Sequence, residues 1–131
     1  MRLSDIVTIT HAKVYSSNAD LDREVTHAFA SDLMSDVLCY DVTRGLLVTG
    51  LTNPQMLRTA EMAEVAAVLV VRGKEPQPEA IRLAQDLDIS LIGTESIMFE
   101  TCGRLYEAGL LACRWRNGPL AKIGDYRKHQ G

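Results

Sequence analysis

Seven residues carry chemistry where a ligand could use it: Ser31, Asp32, Thr49, Asn53, Arg72, Gly73 and Thr94. Each falls where an apolar run gives way to a turn and a helical stretch. On one reading they line an anion or nucleotide pocket. Helix N-termini supply free N–H groups and positive partial charge, glycine admits a ligand to the backbone, and Arg72 adds a cation. On the other reading they cap helices and turn the chain, and caps and turns alone require most of them. No catalytic constellation stands beside them. The chain has no G-x-x-x-x-G-K-[ST] string and no G-x-G-x-x-G after a strand. Where a receiver domain needs an acceptor aspartate, it offers Thr49, Arg72 and Thr94. His11, His27 and His129 are scattered, with no Cys or Asp at nucleophile–base spacing. Asp32 and Asp36, four apart on one helix face, read as an N-terminal cap and dipole partner plus a solvated or hydrogen-bonded carboxylate rather than a chelating pair. The expectation is a chain without enzymatic activity, cofactor or metal.

The elements that must position these residues form a repeated unit. Residues 46–50, 67–71 and 89–92 are continuous apolar runs about 20 residues apart, with amphipathic stretches between them. Such runs alternating with helices predict an α/β fold: a doubly wound, mainly parallel sheet with helices on both faces. Upstream, Ser4 is a candidate cap for a helix to Ile9, and Ala12–Tyr15 and Val25–Phe29 are candidate strands. Ser31 or Asp32 can cap a helix with Leu33, Met34, Val37 and Leu38 on its apolar face. Asn53-Pro54 is a sharp helix start, because Asn accepts from free amides and proline at the first position sacrifices none. Pro78 opens a helix with Ala80, Leu83, Ala84 and Leu87 on one stripe. Thr94 is read as the cap of a helix carrying Met98, Cys102 and Leu105 and ending near Gly109.

Leu111, Cys113 and Trp115 then alternate with Ala112, Arg114 and Arg116, the period of a half-buried strand. Asn117-Gly118 signals a hairpin turn, against which Pro119 argues. The organisation expected is an α/β domain over 1–109 and a basic C-terminal arm or edge hairpin over 110–131.

Length and composition are those of one globular domain: 131 residues, 47% hydrophobic, mean hydropathy −0.01. No apolar stretch approaches the roughly 18 residues of a membrane span, and the N-terminus lacks an apolar signal segment. Cys39, Cys102 and Cys113 are odd in number and show no metal-ligand spacing, which favours a reducing cytoplasm. The net charge of −3 is uneven: residues 110–131 carry +4 and the other 109 carry −7. A body at −7 repels phosphate backbones, so the tail is expected to dock on protein rather than on nucleic acid.

The segment DREVTHAFASDLMSDVL, Asp22 to Leu38, resembles the signature of the DRTGG domain family. VLVVRGKEP, DISLIGT and a helix closing on Gly103-Arg104-Leu105-Tyr106 agree with it, so the resemblance runs from residue 3 to about 107. The literal five-letter string is absent, His27 stands where members more often have a small residue, and Arg72 replaces a residue of the family's glycine turn. The resemblance implies a small α/β accessory domain, similar to the N-terminal domain of HPr kinase/phosphorylase and to the uridine-nucleotide-binding domain of muramyl ligases. Such domains are usually fused to CBS pairs, phosphatases or acyltransferases, and no catalysis is assigned to them. Phosphotransfer is rejected here because the kinase P-loop is missing. Of the motif residues, Asp22 and Arg23 are expected to pair or cap at a strand entry and Thr26 to bond locally, as a folding latch. The function expected is a stand-alone regulatory or interaction module working as a homodimer through the Leu111/Cys113/Trp115 arm. The alternative is a small-molecule sensor binding a nucleotide or other anion at the C-terminal edge of the sheet.

Overall fold

The computed structural model describes residues 1–115. Along the chain run α1 (Leu3–Thr10), β1 (Lys13–Val14), β2 (His27–Ala30), α2 (Met34–Val37), β3 (Tyr40–Asp41), β4 (Leu46–Thr49) and α3 (Pro54–Met62). β5 (Ala67–Val70), α4 (Pro78–Asp86), β6 (Ser90–Gly93), α5 (Met98–Glu107), β7 (Leu111–Ala112) and β8 (Arg114–Trp115) follow.

Six strands form one sheet in the order β1-β6-β5-β4-β2-β7, and β3 pairs with β8 in a separate ribbon. All neighbours in the main sheet are parallel except β1, which runs antiparallel to β6 with Lys13 opposite Gly93. The three apolar runs are its centre: every residue of β4, β5 and β6 is buried, as continuous apolar strands must be when both faces are covered. The expected doubly wound architecture is the one observed.

Alternation of side chains along each strand feeds two cores. On one face Leu47, Val68, Val70 and Leu91 meet Val37 of α2, Met56 and Leu57 of α3, and Ala80 and Ala84 of α4. On the other, Leu46, Val48, Leu69 and Ile92 meet Leu3 and Ile6 of α1 and Leu105 of α5. The chain therefore leaves β5 toward one face, through α4, and β6 toward the other, through α5.

Several local expectations are corrected. Ser4 is not the cap of α1; that helix starts at Leu3, and the Asp5 carboxylate accepts the Arg2 N–H at 2.9 Å. Thr94 does not cap α5, which begins four residues later behind Ile97. Tyr40-Asp41, where no strand was expected, is a strand whose partner is β8. Leu111-Ala112 joins the main sheet beside β2, so the first arm residues pair within their own chain. The Asn117-Gly118 turn and the rest of the arm, residues 116–131, lie outside the described residues.

Candidate functional site

Asp32 turns away from α2 and toward the end of β4. Its Oδ1 accepts the Gly50 N–H at 2.6 Å and the Thr49 hydroxyl at 3.1 Å, while Oδ2 lies 3.5 Å from Arg72 Nη2. The Gly50 amide is the largest of the influences that hold its carboxyl below the ordinary value. Thr49, Arg72 and Lys74 act in the same direction and burial opposes them. A Cβ at Gly50 would meet the Arg72 guanidinium and push that flexible side chain aside, so the bare glycine lets Arg72 lie over the turn. Arg72 and Gly73 both adopt left-handed backbone, φ 67° and 66°. Their N–H groups donate to Ser96 and Thr94 carbonyls at 2.8 and 2.9 Å, which ties the turn after β5 to the loop after β6.

Of the seven residues singled out in the sequence, the structure gathers Asp32, Thr49 and Arg72. Ser31 serves its own turn: Oγ accepts the Leu33 N–H at 2.9 Å, and Asp32 is not the cap expected there. Asn53 caps α3, accepting from Met56 N–H at 3.0 Å. Gly73 and Thr94 lie further along the edge. The Thr94 hydroxyl donates to the Thr10 carbonyl at 2.7 Å and so anchors the end of α1 to β6.

The family-motif residues hold the N-terminus. Arg23 pairs with Asp20 at 3.6 Å and Asp88 at 3.8 Å, not with Asp22 as expected. The Arg23 carbonyl accepts from Leu3 N–H and the Val25 N–H donates to the Met1 carbonyl. The Thr26 hydroxyl lies 2.8 Å from His27 Nδ1, a local bond.

Of the concavities among the described residues, two bear on function. A small one of about 150 Å³ opens at the ends of β5 and β6, lined by His11, Lys13, Tyr15, Lys74 and Glu95 with Gly73, Gly93 and Thr94. Gly93 has no side chain to keep Tyr15 off the strand; a Cβ would sit 2.7 Å from its ring. Burial first, then Glu75 and Glu95, push the Tyr15 phenol up from its ordinary value. Gly73 and Thr94 are the members of this lining that the sequence singled out. His11, Lys13 and Tyr15 were missed because only the pairing of β1 with β6, some eighty positions on, brings them there.

The second concavity, about 370 Å³, is a groove between α5 and the β2–β7 edge. Ala28, Ala30 and Ala112 line its sheet side, and Phe99, Cys102 and Tyr106 its helix side. Phe99 is 86% exposed. Among the described residues, no three His, Cys, Asp or Glu side chains come together as metal ligands, and no helix is long and apolar enough to cross a membrane.

Comparison with known proteins gives a family. No curated protein matches the chain. Among solved structures it is similar to the CBS and DRTGG domains of the regulatory region of Clostridium perfringens pyrophosphatase, complexed with its activator, diadenosine tetraphosphate. The TM-score is 0.66 at 15% identity, over 83% of this chain and 47% of that one, so this chain spans about half the length of that regulatory region. At that identity the likeness speaks for the fold, the same mainly parallel sheet with helices. The family model for the DRTGG domain matches residues 5–108, which takes in most of α1, the elements from β1 to α5 and the Asp32–Gly50–Arg72 cluster. The chain belongs to the DRTGG domain family.

Proposed function

We propose that this chain is a non-catalytic regulatory module that works as a homodimer through the groove between α5 and the β2–β7 edge. Phe99 is the observation that carries the reading. Its ring stands 86% exposed on α5 beside a groove floored by alanines. A two-fold dimer needs one surface that complements itself. Here a protruding ring and an adjoining hollow sit in one patch, so each copy's Phe99 can enter the other's groove. Ile97, also exposed, extends the apolar rim, and Glu100 and Arg104 on the same helix neutralise each other at 2.9 Å. Leu111 lines the groove, so the start of the arm takes part in the interface. The regulatory region that contains the similar domain supports a regulatory role, and three free cysteines suit a reducing cytoplasm.

Light scattering tests the reading. Wild type is expected at twice the 14.5 kDa of one chain, and Phe99→Asp at the mass of one chain with unchanged circular dichroism. A wild type that stays at single-chain mass at its highest soluble concentration overturns it.

A second reading, sensing of a nucleotide or other anion at the C-terminal edge of the sheet, is supported by the basic side chains around the smaller concavity and by the nucleotide activator of the similar protein.

A further inference from the structure

We infer that the crevice at the ends of β5 and β6 binds a phosphate group, free or carried by a small hydroxylated molecule. The inference rests on the anion-sensing reading and is independent of the homodimer, since three strand spacings, about 14 Å, separate β6 from the β2 side of the groove.

Topology places the site. The connection after β5 runs to α4 on one face and the connection after β6 to α5 on the other. Where neighbouring strands of an open α/β sheet send their loops to opposite faces, a crevice opens at their carboxyl ends, and ligands of such sheets bind there. Here β5 and β6 are that pair. The Asp32 carboxylate, at the ends of β2 and β4, is not part of this lining, and it already engages Arg72, the residue before Gly73.

Chemistry says what the crevice takes. His11, Lys13 and Lys74 line it, and neither lysine has an ion-pair partner among the described residues. Lys13 Nζ lies 5.1 Å from the Tyr15 ring centroid, a cation–π contact that orders an otherwise mobile side chain. Tyr15 keeps its phenol proton and is a further donor. The Glu95 carboxylate lies against the bare backbone of Gly73 and the Tyr15 ring against that of Gly93, and the Lys74 and Glu95 N–H groups have no partner among the described residues. Glu95 is the one carboxylate of the lining. It would repel a bare oxyanion and accept from a hydroxyl, so it favours a phosphate with a hydroxyl nearby. A space of about 150 Å³ is that of roughly five waters, suited to a phosphate and its nearest atoms.

The test is a ¹H–¹⁵N NMR titration of the full chain with inorganic phosphate and with ribose 5-phosphate, at ionic strength held constant by chloride. Saturable shifts are expected at the Gly73, Lys74, Gly93 and Glu95 amides. Lys13→Gln/Lys74→Gln is expected to weaken binding about tenfold or more, as loss of charge-assisted bonds does. Lys74→Arg should keep it, and Arg58→Gln, on the exposed side of α3, should not alter it. Tighter ribose 5-phosphate binding that Glu95→Gln abolishes identifies a carried phosphate; equal binding of both probes identifies a free one. Saturable shifts confined to Gly50, Asn53 and Arg72 overturn this inference and leave anion sensing standing. Absence of saturable shifts anywhere, or unchanged affinity in the double lysine variant, overturns it as well, and the former also removes the sensing reading.

Discussion

Asp32→Ala isolates what holds the edge cluster together. The substitution removes the acceptor of the Gly50 N–H and of the Thr49 hydroxyl, while both residues stay buried. Thr49 Oγ1 still accepts from Leu51 N–H at 3.2 Å, but its own proton then has no acceptor. A hydrogen bond to a charged group is worth about 1.5–3 kcal/mol, and an abandoned buried donor costs about 1–3 kcal/mol. The carboxylate side chain is 43% exposed, so water offsets part of this, and a loss of about 2–3 kcal/mol is expected. Asp32→Asn keeps a carbonyl acceptor and should cost about 1 kcal/mol. Arg72→Ala removes only a 3.5 Å pair between half-exposed groups, worth about 0–1 kcal/mol. Urea unfolding followed by circular dichroism reads all three; with a slope of about 1–3 kcal/mol per molar, Asp32→Ala should lower the midpoint by about 0.7–3 M. The pH dependence follows from the depressed carboxyl of Asp32. Its contribution is complete above the unfolded value of about 3.9 and is lost as pH falls through the lower folded value. The acid side of the stability profile should therefore be shallower in Asp32→Ala than in wild type. A loss in Arg72→Ala as large as in Asp32→Ala would mean that the ion pair, not the Gly50 amide, holds the cluster.

Two further outcomes follow from single side chains. Asn53→Ala leaves the first turn of α3 without its acceptor and should lower stability by about 1 kcal/mol, read from the same urea midpoint; an unchanged midpoint would show that Pro54 alone starts the helix. Burial pushes the Cys113 thiol up to about 11, with Asp41 adding to it. Iodoacetamide at mildly alkaline pH should then label exposed Cys39 well before Cys113; mass spectra showing Cys113 modified first would place it outside the core.

The sequence by itself determined the sheet's centre. Runs such as Leu46–Thr49 and Ala67–Val70 have no polar face, and a strand without a polar face must be covered on both sides. Asn53-Pro54 and Pro78 were equally legible, because capping and proline geometry act within one turn of the chain. Long-range pairing was not legible. Asp32 follows a strand and precedes a helix, which locally spells a cap, yet it bonds Gly50 across to the neighbouring strand. Thr94 has the same local signature and instead reaches Thr10. Neither choice leaves a trace in nearby residues, because the competing partner arrives only when the sheet assembles. The site moved for the same reason. Periodicity showed that helices flank the strands, but not that α4 and α5 take opposite faces. That reversal opens the crevice at β5 and β6, and the antiparallel docking of β1 on β6 brings His11, Lys13 and Tyr15 to it. A register of two residues, set by contacts between segments some eighty positions apart, is decided by tertiary packing alone.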